Sequence, residues 1–275
     1  MKYQIITSPD AAPKLDLGRI GGNALPRFSK SRAPHYAIPP DVLAAMTAMN
    51  LAPPFVPPSQ SRATRYIALR GRGSQRGATH VKYGGLERMV VFESLLELHT
   101  LHILLSDTSL IDIWDQPPPI PLRNRAGKKT THTLDYLAVY ADGRKVGYAV
   151  KPSRKVFDEH GNPTEFVELM GRVRTAAGFE IRIVTEKSFS RSQVQDARLM
   201  HRWSRQSDPE ADAVVRDIVR SLQGSYPVRT IKDLSGLKGR AFGAVVRAYR
   251  DGLLTKADGK RLHVDSMVRT VRDAD

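Results

Sequence analysis

The chain contains no cysteine, which excludes disulfide scaffolds, cysteine nucleophiles and thiolate zinc sites. It has no apolar stretch near the roughly 20 residues that span a bilayer, and no charged start followed by an apolar run of the secretory kind. A cytoplasmic protein with no membrane partner is therefore expected. Internal repeats and long low-complexity tracts are absent. Aromatic residues make up only 7% of the chain and do not interleave with its basic clusters, so a platform for stacking single strands is not expected. Acidic residues are the last shortage, with 28 Asp and Glu against 43 Lys and Arg for a net charge of +15. Such an excess attracts polyanions, of which nucleic acid is the commonest, although an anionic membrane would respond to the same charge.

Prolines and arginines dominate the first third. Residues 1–80 hold eleven Lys or Arg against three Asp or Glu, with breakers at Pro39-Pro40, Pro53-Pro54 and Pro57-Pro58. They read as a basic arm, partly disordered, with one short helix over Asp41 to Met49. In this arm Arg62, Arg65, Arg70, Arg72 and Arg76 alternate with Gly and Ser, and Arg62, Arg65 and Arg72 are candidate phosphate contacts.

Order is expected from Val81. Val90 to Leu105 is apolar at helical spacing, with Val91, Leu95, Leu98 and Leu105 on one face. A strand over Leu110 to Trp114 ends before Pro117-Pro118-Pro119. Leu134 to Tyr140 and Lys145 to Val150 form a hairpin across Asp142-Gly143, followed by a helix over Glu165 to Ala177 closed by Gly178 and a strand over Glu180 to Thr185. Helix, strand, hairpin, helix, strand is an α/β sandwich pattern. The predicted units are the arm (1–80), this α/β domain (81–190), a partly helical linker (191–209) and a small domain (210–275). The last shows helices over Ala211 to Leu222, Ile231 to Leu234 and Arg240 to Gly252, then two short strands around Asp258-Gly259. That order suits a winged helix whose third helix presents Arg240, Arg247 and Arg250 to DNA phosphates or to a protein.

Hydrolysis of a phosphodiester requires a divalent cation to neutralise charge and lower the pKa of the attacking water. Mg²⁺ prefers one or two carboxylates plus waters and substrate oxygens, and a neighbouring lysine stabilises the developing charge. Glu97, Asp135 and Lys151 supply that set, with Asp135 near the start of one hairpin strand and Lys151 at the end of the other. A turn over Asp142-Gly143-Arg144 would place Asp135 directly opposite Lys151, on one face of the sheet, whereas a two-residue turn would separate them. Glu93, one turn from Glu97, is a rival on the same helix face. His99 and His102 read as a solvated pair, and His132 as a possible contact to phosphate.

The segments Ser94-Leu95-Leu96-Glu97-Leu98, Ile113-Trp114-Asp115-Gln116-Pro117, His132-Thr133-Leu134-Asp135-Tyr136-Leu137 and Val150-Lys151-Pro152 together resemble the TnsA family. These are endonuclease subunits of heteromeric cut-and-paste bacterial transposons. The resemblance covers roughly residues 80–190, and the C-terminal pattern extends it. It implies a restriction-endonuclease-like fold with Glu97, Asp135 and Lys151 catalytic, and Mg²⁺, with Mn²⁺ as substitute, held by Glu97, Asp135 and the Val150 carbonyl. It further implies cleavage at the 5′ ends of an element, double-stranded transposon ends as substrate, a DDE-type transposase and an AAA+ ATPase regulator as partners, and a nucleoid-associated location in a bacterial cytoplasm.

Three positions depart from the family. Ala149 stands where Glu or Gln usually precedes the lysine by two residues, Leu134 replaces a proline, and Asp115 replaces a glutamate. Glu165 or Glu168 on the next helix are candidate replacements for the carboxylate missing at Ala149. Two other readings follow: a DNA- or transposase-binding subunit with weakened catalysis, and an unrelated restriction-like nuclease of repair or phage defence.

Overall fold

The protein is described by a computed structural model that covers residues 44–45, 48–49, 58–65, 75–83 and 86–271. Of the arm, Arg70 and Arg72 lie outside the described residues. The short helix over Asp41 to Met49 is described only in part, where Met49 N–H donates to the Ala45 carbonyl at 3.0 Å. No described helix is long and apolar enough to cross a membrane.

A mixed α/β unit comes first. Strands β1 (Gly77–Tyr83) and β2 (Leu86–Phe92) pair antiparallel. Helix α1 (Leu95–Ser106) follows, then β3 (Leu110–Asp115) and a small ribbon of β4 (Ile120–Arg123) with β5 (Lys129–His132). Next come β6 (Tyr136–Tyr140), β7 (Lys145–Val150), the single turn α2 (Ser153–Val156), α3 (Glu165–Ala177) and β8 (Glu180–Val184). The main sheet has the order β3-β6-β7-β8, with β3, β6 and β7 antiparallel and β8 parallel to β7.

Apolar residues on both faces of this sheet explain its two helical covers. Tyr136, Ala138, Tyr140, Val146, Tyr148 and Val150 face Leu101, Leu104 and Leu105 of α1. Leu134 and Ala149 face Met170 and Val173 of α3 on the other side. Helix α3 ends as its sequence requires, on Gly178 in the left-handed region at φ 70°.

The first helix starts later than its apolar spacing predicts. Val90 and Val91 are strand residues of β2, paired with Thr79 and Ala78. Two β-branched residues in a row suit a paired strand better than a helix turn. Ser94 then caps α1, its side chain accepting the Glu97 N–H. Ordered structure also begins earlier than Val81. Part of the expected arm packs on the edge of the unit, where Ser59 exchanges backbone bonds with Glu87 and Met89 at 2.8 Å each.

The stretch expected to link two domains is a 14-residue helix, α4 (Arg191–Ser204), closed at its start by a capping box between Ser190 and Gln193. It packs on α1 and also on the second unit. That unit comprises α5 (Pro209–Ser221), β9 (Ser225–Pro227), α6 (Val228–Ser235), α7 (Gly239–Arg250), β10 (Leu254–Lys256) and β11 (Met267–Thr270), with strand order β10-β11-β9. The three helices match the predicted ones. The second of the two short strands comes later than predicted, at Met267, because the turn around Asp258-Gly259 opens into a loop that runs to Ser266. Trp203 of α4 reaches Gly243 of α7 so closely that a Cβ there would meet its ring at 2.5 Å.

Gly147 of β7 is equally crowded, since a Cβ would meet Leu134 Cδ1 at 2.5 Å and Ile181 Cδ1 at 2.8 Å. Gly147→Ala is therefore expected to cost about 1–3 kcal/mol through overpacking. Urea unfolding of the two proteins measures it, and an unchanged midpoint would contradict the close approach of Leu134 to the strand.

Candidate active site

The β6–β7 hairpin sets the geometry. Its loop is Ala141-Asp142-Gly143, with Gly143 at φ 84°, Gly143 N–H donating to the Tyr140 carbonyl at 2.9 Å, and Tyr140 N–H donating to the Arg144 carbonyl at 3.0 Å. The left-handed turn position falls on the glycine because a side chain there would be strained. The loop thus lies one residue earlier than the register expected from the sequence, and Tyr136 pairs with Tyr148. Direct opposition of Asp135 and Lys151 is not formed.

A bulge brings Asp135 to the site instead. Its N–H donates to the Tyr148 carbonyl at 3.0 Å, while Tyr148 is also the ladder partner of Tyr136. Two residues of one strand thus stand against one of the other, the defining feature of a β-bulge. The consequence is visible in packing: Leu134 falls on the α3 face with Ala149, whereas Tyr136 falls on the α1 face. Between them the Asp135 carboxylate accepts the Val150 N–H at 2.7 Å.

Asp135 is 8% exposed and Glu97 6%. Glu97 occupies the third position of α1, where Oε1 accepts the Ser94 hydroxyl at 3.0 Å and Oε2 accepts the Glu93 N–H at 2.7 Å. These bonds resemble a capping box and hold the carboxyl at the helix start. Burial, and then the charge of Asp135, push the Glu97 carboxyl up to about 7 despite those bonds. Burial also raises Asp135, opposed by the Lys151 ammonium, the Val150 N–H, the Arg65 charge and a hydrogen bond from the Gln116 side chain. Lys151 is half-buried. Its charge reaches Asp135 and also helps burial to lower the pKa of His132. The three residues named from the sequence therefore share one neighbourhood. Beneath it lies Tyr136, fully buried, whose hydroxyl donates to the Glu97 carbonyl at 3.3 Å.

Gln116 is the residue whose role the sequence concealed. It sits at φ 43°, an uncommon value for a non-glycine residue and therefore a strained one. Its Oε1 accepts Arg65 Nε at 2.7 Å while its amide engages Asp135, and its backbone N–H donates to the Asp135 carbonyl at 3.0 Å. Thr64 fixes the Gln116 carbonyl through its N–H at 3.0 Å and its hydroxyl at 2.9 Å. A positive φ just before a proline leaves no signature in composition or periodicity, although the Gln-Pro pair marked the place. Neighbouring Asp115 is fully buried and accepts the Val91 N–H at 2.8 Å, while its Oδ1 has no hydrogen-bond partner among the described residues.

Other candidates are held elsewhere. Glu93 precedes α1 rather than lying on it and pairs with Arg65, and its charge reaches Glu97. Glu165 and Glu168, the candidate replacements for the carboxylate missing at Ala149, are exposed and paired with Arg125. Ala149 itself is 1% exposed, beneath α3. Arg62 pairs with Asp112 at 2.7 Å and lies over the Trp114 ring. Arg240 binds Asp208 and Glu210, and Arg247 binds Asp212 at 2.8 Å with a side chain only 12% exposed. Arg250 stands close enough to His201 for its charge to depress that imidazole.

A hard divalent cation needs only one or two carboxylates when water and substrate complete its shell. No group of three His, Asp or Glu side chains able to hold a metal exists among the described residues. The Glu97–Asp135 pair fits such an open site by its electrostatics: each group is desolvated, and the Asp135 charge raises Glu97 further. Val150 carries the candidate third oxygen on its carbonyl, next to the N–H that Asp135 binds.

The raised Glu97 pKa has a sign in stability. Its folded value near 7 exceeds its usual 4.5, so the folded chain holds a proton that the unfolded chain has released. The contribution is intact below about pH 4.5 and is withdrawn as pH rises towards 7, by on the order of 3 kcal/mol at most. Metal-free protein should lose stability across that window, Glu97→Gln should flatten the loss, and Mn²⁺ should restore it in the wild type. Thermal melts from pH 5 to 8 check this, and parallel curves for the two proteins would contradict it.

Compared with known proteins, the chain matches no family model and none of the curated sequences.

Proposed function

We propose that the chain is a divalent-metal-dependent DNA endonuclease, with a restriction-endonuclease-like unit followed by a winged helix. One observation carries the reading: two buried carboxyls from a helix start and a bulged strand lie together beside a strand-end lysine. The connectivity supports it. A helix, three antiparallel strands, a second helix and a final parallel strand have the order expected of that nuclease fold. In the second unit, the succession α5-β9-α6-α7-β10-β11 has the order expected of a winged helix. The net charge of +15 suits a polyanionic substrate.

Mg²⁺ bound between Glu97 and Asp135 would supply an activated water and neutralise charge on the scissile phosphate. Glu97 and Asp135 would hold the ion as carboxylates, and its charge would offset the burial that raises the Glu97 carboxyl. Lys151 donates to a non-bridging phosphate oxygen and stabilises charge as the phosphorus is attacked and a 3′ hydroxyl departs. Gln116 holds Asp135 in one orientation, itself held by Arg65 and Thr64. The resemblance to the TnsA family extends the proposal to transposon 5′ ends as substrate, a DDE-type transposase and an AAA+ ATPase as partners.

A second reading, a binding subunit with weakened catalysis, is favoured by Ala149 beneath α3 and by the diversion of Glu165 and Glu168 to Arg125.

Nicking of duplex DNA ends with Mn²⁺, in the presence of the partner transposase, separates the two. Asp135→Ala and Lys151→Ala should each lower the rate roughly 100-fold or more. Gln116→Ala should weaken metal binding by about 10-fold or more. Absence of Mn²⁺ uptake by the wild type in calorimetry would favour the binding role, and equal cleavage by all variants would end the nuclease assignment.

A further inference from the structure

Several arginines of this protein, among them Arg62, Arg88, Arg240 and Arg247, meet carboxylates. Four others gather, without a carboxylate partner among the described residues, around a cavity of about 540 Å³ where α1 and α4 meet the loop before β11. Arg198, Arg202 and Arg205 follow at i, i+4 and i+7, which puts them on one face of α4, and Arg261 enters from the loop. All four are exposed. Arg202 also lies over the Trp203 ring, its guanidinium 5.8 Å from the centroid. The one acid in the lining, Asp196, is already engaged by Lys256 and by the Leu262 N–H at 2.7 Å.

The floor of the cavity is polar as well. His102 of α1 and His201 of α4 stand with ring centroids 5.2 Å apart. His201 Nε2 is 2.9 Å from the His80 carbonyl. His102 is 7% exposed, lines the cavity, and its Nδ1 has no hydrogen-bond partner among the described residues.

We propose that this cavity is an oxyanion site that takes a phosphate group, held by Arg198, Arg202, Arg205 and Arg261 with His102 Nδ1 as a buried donor. Guanidinium groups match phosphate oxygens with paired N–H donors and remain charged at any physiological pH. The two histidines do not make a cation site, because four guanidinium charges would oppose a metal there. Burial first, and then nearby charges that include Arg198 and Arg205 for His102 and Arg205 for His201, hold His102 down at about 3 and His201 at about 4. A lone water would satisfy His102 Nδ1 but would leave the convergence of the arginines without a cause. The phosphate comes from a DNA backbone or from a free phosphate, and in either case the site stands on its own geometry and not on cleavage.

Full-length protein without divalent metal provides the test, so nuclease activity plays no part in the outcome. Duplex DNA affinity is measured by fluorescence anisotropy over a series of salt concentrations, and inorganic phosphate binding by calorimetry. The variants are Arg198→Ala/Arg202→Ala and Arg205→Ala/Arg261→Ala. A control, Arg216→Ala/Arg220→Ala, removes equal charge from exposed positions of α5. If the phosphate is borne on DNA, each test pair lowers the slope of log affinity against log salt by about 2 and the control does not. Loss of inorganic phosphate binding with an unchanged DNA slope supports a site for a free oxyanion. If the test pairs match the control on DNA and leave phosphate binding intact, the proposal is overturned.

Discussion

Two carboxyl groups withdrawn from water at one end of a sheet impose the central constraint on this structure. A desolvated carboxylate is costly, and a second one nearby raises the cost. The fold nevertheless assembles the pair with several independent devices. Ser94 and the Glu93 N–H seat Glu97 at the start of α1, a bulge turns Asp135 out of the strand alternation, and a strained Gln116 holds it. Strain and buried charge concentrated at one point are the usual marks of a functional centre. In the proposed reading, a bound divalent cation would resolve the conflict that the chain's own hydrogen bonds only soften.

Around that centre the two described units are joined by packing on helix α4. Helix α4 packs on α1 along one side and contributes Leu199, Met200 and Trp203 to the second core on the other. The Gly243–Trp203 contact leaves no space for a side chain at that seam. The seam is also where four arginines gather without a carboxylate partner among the described residues. Any polyanion bound there would touch both units at once and be placed relative to Glu97 through α1, the helix that carries both Glu97 and His102.

Much of the architecture was legible because it rests on period and punctuation. Gly178 ended α3, Asp142-Gly143 announced the hairpin, and three helices followed in order, whereas the last strand came later than the turn at Asp258-Gly259 suggested. The start of α1 was misjudged because Val90 and Val91 satisfy helical spacing as well as strand pairing. Their partners Thr79 and Ala78 decide the matter, and they are remote in sequence. The acids and the lysine were legible as charges set within apolar runs. Their actual approach was not, since a bulge at Asp135 is a hydrogen-bonding event with no compositional sign. Arginines advertised as free for phosphate, notably Arg240 and Arg247, are bound to Asp208, Glu210 and Asp212, pairings that depend on how α5 meets α7. The basic stretch on α4, read as a connector, carries arginines with no carboxylate partner among the described residues.

The most direct measurement is the titration of individual carboxyl groups by carbon-13 NMR on metal-free protein and on protein with Mg²⁺. The Glu97 carboxyl should titrate near 7 without metal, and Mg²⁺ should ionise it at pH 6 with release of a proton while the Asp135 signal shifts alongside. A Glu97 signal that titrates near 4.5 and ignores Mg²⁺ would contradict the cation site and, with it, the nuclease reading.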